Sequence, residues 1–408
     1  MEIEQAEKLR ALVQSEDIEN VRMGLELCEV LIMDIEAVVE VFSLHGVSEP
    51  QSLLWRQKRH PHPRLLYGWV LCKLLEFECA WVVGLVELDL SACGLRAVPE
   101  VIQHHRILER LDLSFNALQT LPDLGALTRL RWLSILGNPL ELTSVLPVLN
   151  DLGLSHERSL LSLSDVSGGR FMMGALPEDM EPYENEHPRH EVDISSDMLV
   201  MRTPVTQWLY AFVMGQNPSR LQGLDRPVER VSWYDAVRFA NALSAFFGLP
   251  LAYEINGDEV LCDWDSAGWR LPTEAEWEYL ARGGEVHLYA GSNYAWNVAW
   301  LRDNSGFTHH PVGQLEANAF GLYDMSGNVW EWCWDHMQYD EDWNLTEASL
   351  YSSAFVRDPR GASRGVKRVC RGGDWFRSAR CARVSRRAVN FPDAFDERTG
   401  FRLIRTQE

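Results

Sequence analysis

Two cysteines stand among many arginines near the C-terminal end of the chain, in RVCRGGDWFRSARCARVSRRAVNFPDAFDERTGFRL. Thiolates bind soft metal ions such as copper(I) and attack electrophiles, so Cys370 and Cys381 suggest metal or nucleophilic chemistry. Guanidinium groups instead hold carboxylates and phosphates, and Arg and Trp dominate the energetic centres of binding surfaces. This stretch therefore predicts either a catalytic site or a binding surface.

The candidate binding surface combines aromatic rings, arginines and one carboxylate. Its members are Trp330, Asp374, Trp375, Phe376, Arg377, Arg380, Arg383, Arg387 and Phe391. The alternative is that the arginines pair inside the fold with acidic residues such as Asp374, Asp393 and Glu397, and we expect this for about half of them. Arginines that stay unpaired would bind an acidic ligand.

Oxygen donors suggest a second candidate site, in GLYDMSGNVWEW. Hard cations such as calcium take several oxygen ligands from carboxylates and backbone carbonyls in a bent loop. Asp324 and Glu331 offer carboxylates, and the turn between them can direct the carbonyls of Gly327 and Val329 inward. The alternative is that both carboxylates make only local hydrogen bonds.

The composition is that of a globular chain with an uneven charge. The 408 residues carry a formal net charge of −21 and 46% hydrophobic residues, and no apolar run is long enough to span a membrane. Residues 360–408 hold 13 Lys and Arg against 5 Asp and Glu, whereas residues 161–359 hold 11 against 31. The negative net charge of the whole chain argues against nucleic-acid binding. The basic end favours either internal pairing or an acidic ligand.

The cysteine spacing and the first residues suggest a cellular location. None of the eight cysteines forms a C-x-x-C pair, which argues against a zinc site. The sequence MEIEQAEKLR is acidic and polar, unlike a secretory signal. We therefore expect reduced thiols, a cytoplasmic protein and no membrane attachment.

Three segments must position these sites. Residues 1–80 are predicted to be helical, because apolar residues in EQAEKLRALVQSEDIENVRMGLELCEVL recur at three- and four-residue spacing. Residues 81–160 contain three similar units, LVELDLSACGLRAVP, LERLDLSFNALQTLP and LRWLSILGNPL, which begin 23 and 22 residues apart. They resemble leucine-rich repeats, with Cys93, Asn116 and Asn138 at the turn of each unit.

Three repeats bury too little surface to be stable alone. We expect the N-terminal helices to cover one end of the array and a helix near SVLPVLNDLG to cover the other. Such arrays usually bind proteins or act as scaffolds, and nothing in the repeats identifies a partner.

Residues 161–408 are predicted to form a second domain of mixed helix and strand, after a linker at LSLSDVSGG. GGRFMMGA and HEVDIS are typical of strands, and SWYDAVRFANALSAFFG is typical of a helix that ends at Gly248. In RLPTEAEWEYLARGG, Thr273 and Glu276 form the pattern of a capping box at the start of another helix.

This domain resembles the formylglycine-generating enzyme (sulfatase-modifying factor) family from about Gly168 to Ile404. The markers stand in the family's order: GGRFMMGA, PRHEV, TPVTQWLYAFV, NPS, RPVERVSWYDAVRFANALS, WRLPTEAEWEYLARGG, HPVGQLEANAFGLYDMSGNVWEW, RGGDWF and GFRL. The resemblance implies an irregular α+β, C-type-lectin-like domain, so the expected architecture is a helical cap, a short leucine-rich repeat solenoid and this domain. Iron-dependent sulfoxide synthases and retroelement-diversified binding proteins share the fold, which therefore does not decide the function.

The resemblance also implies structural calcium. In the family, calcium is bound at the positions that here are Asp324, Gly327, Val329 and Glu331. A second family site would use Asn297 and the Val298 carbonyl. Its downstream ligand is Asp303, Asn304 or neither. Both ions would tie loops together in a fold with little regular structure.

For catalysis, the resemblance implies two cysteines five residues apart after the RGG turn, which bind copper(I) and oxidise a substrate cysteine. The first position here is Arg377, and the second falls at Ala379 or near Cys381, so at most one thiol of the pair is kept. Cys370 precedes the turn, where a core residue is expected. We therefore do not expect copper.

Two other catalytic roles have less support in the sequence. Cys381 would be catalytic only if the protein were an enzyme, and alone it would need His309 or His310 as a base. The sulfoxide synthase branch uses a histidine cluster on a helical domain, which the N-terminal helices lack. HPRHEV has two histidines at the entry of a predicted strand and is expected to be structural.

We predict a non-catalytic recognition or adaptor protein. It would bind a protein or peptide partner, acidic or cysteine-containing, through a basic aromatic pocket near residues 375–391 and through the repeat surface. The alternative is a formylglycine-generating-type oxidoreductase that uses copper to oxidise a substrate cysteine, or a related non-haem iron enzyme. Eight positions fall where retroelement-diversified proteins vary: Phe376, Arg377, Ala382, Val389, Phe391, Ala394, Phe395 and Glu397.

Overall fold

The computed structural model of the chain describes residues 69–74, 85–91, 93–140, 142–179, 181–337, 346, 353–362 and 364–407. The chain divides into two compact units, one ending at Leu161 and the other beginning at Ser162. The predicted helices of residues 1–80 fall mostly outside the described residues. Within that range only residues 69–74 are described, and they are helical.

The first unit contains three short parallel strands, β1 (Glu87–Asp89), β2 (Arg110–Asp112) and β3 (Trp132–Ser134), paired in that order. The central leucine of each strand is buried, because alternate strand residues point to opposite faces. A 3-10 turn (Glu100–His104) lies between β1 and β2. Helices α1 (Leu142–Asp151) and α2 (His156–Leu160) follow β3, and α1 is the helix predicted near SVLPVLNDLG.

Buried asparagines connect the turns of neighbouring units. The side-chain amide of Asn116 donates to the Leu90 carbonyl at 2.8 Å, and its Oδ1 accepts from the N–H groups of Cys93 and Leu95, both at 3.0 Å. Asn138 makes the same kind of bonds one unit later. These asparagines, which stand at the predicted turns, therefore bond the turning backbone and satisfy backbone groups that are removed from water.

The second unit combines small sheets with short helices and long irregular connections. Its strands are β4 (Leu163–Val166), β5 (Gly169–Met173), β6 (His190–Ile194), β7 (Met198–Met201), β8 (Tyr253–Asn256), β9 (Glu259–Cys262), β10 (Trp330–Met337), β11 (Val356–Arg357), β12 (Lys367–Arg371), β13 (Ala388–Asn390), β14 (Thr399–Gly400) and β15 (Ile404–Thr406). Its helices are α3 (Gln207–Met214), α4 (Trp233–Phe246), α5 (Glu274–Arg282) and α6 (Ala295–Val298), with 3-10 turns at Glu184–Glu186 and Ala379–Ala382.

The strands pair mostly with partners that are distant in sequence. One sheet has the order β13-β12-β10-β14, two others have the orders β11-β6-β5 and β15-β7-β4, and β8 and β9 form a hairpin. β4 pairs antiparallel with β7, and Val166 is 3% exposed. The predicted linker at LSLSDVSGG is therefore wrong, because this segment completes a sheet of the second unit.

The helix termini agree with the local sequence signals. In α5 the Thr273 hydroxyl accepts from the Glu276 N–H at 3.1 Å, and the Glu276 carboxylate accepts from the Thr273 N–H at 2.7 Å, which confirms the capping box. α4 is followed by Gly248 with a φ of +71°, as predicted. In the described part of the chain, no helix has both the length and the apolar character needed to cross a membrane.

Buried charges join α5 to β12. Arg371 donates to the Glu278 carboxylate, and neither side chain is exposed to solvent. Arg282 also donates to Glu278, with Nε at 3.0 Å. Burial alone would raise the pKa of Glu278, but the charges of Arg282 and Arg371 outweigh it and hold the pKa below its usual value. This cluster fixes the end of β12, from which the candidate site begins.

Candidate functional site

The loop after β12 turns sharply on two glycines. Gly372 and Gly373 have φ values of +95° and +80°, where L side chains are strained. A Cβ on Gly373 would lie 2.8 Å from the Cys381 carbonyl oxygen, so the turn also requires the missing side chain. The Gly327 N–H donates to the Gly372 carbonyl at 2.8 Å. The turn thus packs against the loop that was predicted to bind calcium.

Two cavities open beside this loop. The first, which we call the thiol cavity, has a volume of about 330 Å³, and both Cys370 and Cys381 line it. Its other lining residues are Tyr183, Trp330, Arg377, Arg386, Ala388, Val389, Asn390, Asp396, Arg398 and Thr399. The structure therefore brings the predicted residues Trp330 and Arg377 together with Cys381. Cys370 is 3% exposed, as expected of a core position, yet it lines the same cavity.

The second cavity, which we call the aromatic cavity, has a volume of about 600 Å³. Its lining residues are Arg220, Arg230, Trp375, Phe376, Phe395, Asp396, Glu397 and Arg398. Phe376 and Phe395 are 44% and 62% exposed, so two large apolar rings face solvent at its edge. Asp396 and Arg398 line both cavities, which makes the two cavities neighbours.

Four guanidinium groups at these cavities lack an ion-pair partner among the described residues: Arg230, Arg377, Arg386 and Arg398. The guanidinium carbon of Arg398 lies 5.8 Å from the centre of the Phe376 ring, and that of Arg230 lies 6.0 Å from the centre of the Phe395 ring. Charge-assisted hydrogen bonds to carboxylates are strong, so these groups favour an anionic ligand.

Arginines also cover Tyr183 on the wall of the thiol cavity. The guanidinium carbons of Arg386 and Arg380 lie 3.8 Å and 4.1 Å from the centre of its ring. Burial lowers the pKa of Arg386, which lines the cavity. The predicted residue Arg380 does not line it, and its Nε donates instead to the Glu181 carbonyl at 3.1 Å.

Arg383 and Arg387, two of the predicted ligand-binding residues, form buried ion pairs inside the fold. Arg383 donates to both carboxylate oxygens of Glu186 at 2.7 Å and 2.8 Å. Arg387 donates to both oxygens of Glu274 at 2.8 Å and 2.6 Å. All four side chains are at most 5% exposed. We therefore correct their assignment, because both guanidinium groups are buried and their charges are already neutralised by carboxylates.

Asp374 and Phe391 also lie outside the lining of both cavities. Asp374 is buried, and its Oδ1 accepts from the Phe376 N–H at 2.6 Å. Burial raises the pKa of Asp374, and the charges of Arg398 and Arg377 lower it in part. Asp374 therefore shapes the loop rather than facing a ligand. Phe391 is exposed, with the Lys367 Nζ 5.0 Å from the centre of its ring.

The thiols do not fit the copper site of the resembled enzymes. Cys370 and Cys381 are both free, and thiolates are suitable donors for copper(I). Burial, however, raises the pKa of Cys370 well above its usual value, which disfavours the thiolate. Guanidinium groups on the same cavity, including that of Arg377, would repel a cation.

The histidines considered as bases for Cys381 lie elsewhere. His310 stacks on Trp300 with 3.8 Å between ring centres, and burial lowers its pKa. His309 is buried, and its Nε2 lies 3.8 Å from Glu229 Oε1. Neither histidine lines the thiol cavity, so the structure does not bring them to the cysteine.

The loop predicted to bind calcium holds two buried carboxylates. Asp324 has a φ of +57° and accepts from the Gly313 N–H at 2.7 Å. Burial, with a smaller contribution from the nearby Glu331 charge, raises the pKa of Asp324 to about 6. Glu331 accepts from Arg402 at 2.8 Å and 2.7 Å and from Trp277 at 2.7 Å. The oxygens suit a hard cation, with Asp324 the less neutralised carboxylate. Calcium binding at Asp324, Gly327, Val329 and Glu331 stays a prediction.

The second predicted calcium site has fewer oxygen donors. Asn297 is exposed, and its carbonyl accepts from the Glu316 N–H at 3.0 Å. Asn304 accepts from the Leu301 N–H at 2.7 Å, and Val298 is buried. In the described part of the chain, no three or more His, Cys, Asp and Glu side chains form a group that could hold a metal ion.

The sequence alone does not predict several cavity residues, among them Tyr183, Arg230 and Arg398. Arg398 stands just before the marker GFRL, and this position in the sequence could have identified it as a candidate site residue. Tyr183 and Arg230 come from connections far upstream of residues 368–403, and only the tertiary fold brings them to the cavities.

Comparisons with known proteins cover mainly the second unit. A family model described as the sulfatase-modifying factor enzyme 1-like domain matches residues 154–407. Chaperone protein LppX of Paenibacillus barcinonensis is 33% identical over 252 residues, which are 52% of this chain and 81% of that protein. The formylglycine-generating enzyme of Thermomonospora curvata is 35% identical over 196 residues, 44% of this chain and 55% of that enzyme. The chain therefore spans only about half of this enzyme's length.

The fold has a counterpart among solved structures. Treponema denticola variable protein 1 matches with a TM-score of 0.54 and 32% sequence identity, over 60% of this chain and 95% of that protein.

Proposed function

The chain belongs to the sulfatase-modifying factor enzyme 1-like domain family through residues 154–407, and from this membership we propose that it works by recognition, binding an acidic segment of a protein or peptide without turnover. The observation that carries the proposal is a set of four cavity guanidinium groups that lack ion-pair partners among the described residues: Arg230, Arg377, Arg386 and Arg398. A carboxylate-bearing segment would supply the missing counter-charges.

The arrangement of the cavities also supports recognition. Each charge-assisted hydrogen bond would contribute about 1.5–3 kcal/mol. Burying the Phe376 or Phe395 ring would contribute roughly as much. The Gly372–Gly373 turn and the buried pairs of Arg383 and Arg387 hold the loop in place. Little ordering would be needed on binding, which favours affinity.

Two of the similar proteins have names that support this proposal. One relative is called a chaperone, and the similar solved structure is called a variable protein. Of the positions that resemble diversified ones, Phe376, Arg377, Phe391 and Phe395 are exposed, whereas Ala382 is fully buried. We propose variation at the exposed positions as one way in which related chains change partner.

A displayed library of random peptides tests the proposal. We expect selected peptides to be enriched in Asp or Glu next to an apolar or aromatic residue. Arg377→Glu and Arg398→Glu should each weaken a selected peptide at least tenfold. The control is Arg129→Glu, an exposed arginine of the first unit with the same charge change, which should have less than a twofold effect. Equal weakening by the control, or no acidic enrichment, would contradict the proposal.

A second candidate function is oxidation of a substrate cysteine. It is favoured by one observation, that Cys370 and Cys381 line the same cavity, and by the relatives named formylglycine-generating enzymes. Stoichiometric copper(I) binding that is lost in Cys381→Ser, together with oxygen uptake on a cysteine peptide, would establish it. Under the recognition proposal, Cys381→Ser leaves peptide binding within a factor of about two.

We further propose that the first unit is a leucine-rich repeat array with a second binding surface. Its support is the set of three parallel strands at the repeat spacing and the bonded asparagines. On the strand face, the guanidinium carbon of Arg110 lies 4.3 Å from the centre of the Trp132 ring. Loss of a protein partner on Trp132→Glu, with the unit still folded, would support this surface.

We also propose structural calcium in the Asp324–Glu331 loop and a cytoplasmic location. Calcium is supported by the two buried carboxylates. The location is supported by Cys262, Cys333, Cys370 and Cys381, which are free thiols.

A further inference from the structure

A third cavity, which we call the polar cleft, lies apart from the thiol and aromatic cavities. Its volume is about 250 Å³, and it shares no lining residue with either of them. The segments after β6, β9 and β11 meet the start of α5 at this place. The side chains that matter are Trp264, Asp265, Arg270, Asp358 and Arg360.

Some charged groups of the polar cleft are already paired. Arg270 donates to both carboxylate oxygens of Glu276 at 2.7 Å. Asp358 accepts from the Ser195 N–H at 2.8 Å and from the Ser195 hydroxyl at 2.6 Å. These four residues form fixed walls and leave little charge for a ligand to neutralise.

Asp265 and Arg360 are different. They carry opposite charges and line the same cleft, yet they do not pair with each other. In the described residues neither one makes an ion pair elsewhere. An open pair of this kind has room for a ligand between its members, and a ligand that carries both charges would complete both interactions.

One buried donor also belongs to the cleft wall. The Arg270 side chain is 5% exposed, and both of its terminal nitrogens bond Glu276. Its Nε has no hydrogen-bond acceptor in the described part of the chain. This Nε is shielded from solvent, so Arg270 is a structural part of the cleft wall and does not offer this donor to a ligand.

Trp264 fixes the position of the free guanidinium. The guanidinium carbons of Arg360 and Arg270 lie 4.4 Å and 5.2 Å from the centre of its ring. Cation–π attraction thus holds Arg360 at the cleft without consuming its N–H donors.

We propose that the polar cleft binds a free α-amino acid. Its carboxylate would lie against Arg360, and its ammonium group would face Asp265. A simple anion would be repelled by Asp265, and a simple cation by Arg360. The volume is smaller than that of typical drug-sized sites, which suits a single amino acid.

Calorimetric titration of the full chain tests the proposal with each of the proteinogenic L-α-amino acids. The tightest binder is then compared with the amine that lacks its carboxylate and the acid that lacks its ammonium group. We expect both half-ligands to bind at least tenfold more weakly. Arg360→Ala and Asp265→Asn should each weaken the amino acid at least tenfold. The controls Arg302→Ala and Asp303→Asn change exposed charges outside the cleft and should have less than a twofold effect.

Three results would overturn the proposal. They are no binding by any amino acid at millimolar concentration, equal binding by the deaminated acid, and binding that is unchanged in both cleft variants. Circular dichroism and binding of the selected acidic peptide report whether each variant is folded. The peptide readout also separates failure at the cleft from failure of the recognition function, because the two sites share no lining residue.

Discussion

Replacing Glu278 by glutamine should test whether buried charge holds the candidate site in place. Glu278 is fully buried and pairs with Arg282 and Arg371, and it also accepts from the Gly174 N–H at 2.8 Å. Glutamine keeps the shape and one acceptor oxygen but removes the charge. The buried Arg282 guanidinium would then lose its counter-charge, and that of Arg371 would keep only Glu274, at 3.7 Å.

The expected loss of stability is large. Removing one partner of a buried ion pair costs about 3–5 kcal/mol. In a domain of this size each kcal/mol lowers the thermal midpoint by about 2–4 °C, so Glu278→Gln should lower it by about 6–20 °C at pH 7. Because β12 ends at Arg371, the variant should also bind the selected acidic peptide more weakly.

The pH dependence gives a second measure of the same interaction. A glutamate whose pKa is lower in the folded than in the unfolded state stabilises the fold above its unfolded-state pKa. That contribution is lost as the pH falls through the folded-state pKa. The difference between wild type and Glu278→Gln should therefore be full at pH 7 and shrink below the usual glutamate pKa of about 4.3.

Differential scanning calorimetry from pH 3 to pH 8 measures both effects. The control is Glu259→Gln, an exposed glutamate of β9, whose effect should stay within about 0.5 kcal/mol. If the midpoint of Glu278→Gln at pH 7 lay within about 2 °C of this control, the reasoning would be refuted. A difference that did not change with pH would show that the lost charge is not its cause.

Three further predictions concern other parts of the chain. Asn138→Ala leaves buried backbone groups without hydrogen-bond partners, and each such group costs roughly 1–3 kcal/mol. The variant should therefore lower the free energy of unfolding of the first unit by about 3 kcal/mol or more. The control Asn150→Ala changes an exposed residue and should not lower it. Gly373→Ala should be more destabilising than Gly257→Ala. Both residues have a positive φ, but of the two only Gly373 would bring an added Cβ against backbone atoms. Equal unfolding midpoints of the two variants would contradict this prediction. EGTA should lower the thermal midpoint of the wild type but not that of Asp324→Asn, and an unchanged wild-type midpoint would count against calcium.

Features set by nearby residues could be predicted from the sequence. The capping box of Thr273 and Glu276 depends on residues three positions apart, and the stop at Gly248 depends on one backbone angle. The asparagine bonds of the first unit follow from a repeat of 22 or 23 residues. In each case the sequence nearby contains all the groups that interact.

Features that depend on distant partners were missed or misassigned. Arg383 and Arg387 look like ligand-binding residues in their own segment, yet their carboxylate partners are 197 and 113 residues away. The segment from Leu163 to Val166 looked like a linker because its partner strand, β7, lies beyond two intervening strands. Tyr183 reaches the thiol cavity in the same way, through the fold rather than the local sequence.

Arg398 is a wall of both the thiol cavity and the aromatic cavity, and this makes the two cavities thermodynamically coupled. An anion that engages Arg398 from one side reduces the positive potential on the other side, so two separate anionic ligands should show negative cooperativity. The linkage is reciprocal, since each ligand must weaken the other by the same factor. A single ligand could place one carboxylate on Arg398 and an apolar group in the neighbouring cavity without this competition. Its two groups are linked, so binding of the first raises the effective concentration of the second at its cavity. The shared guanidinium thus selects for one continuous ligand over two independent ones.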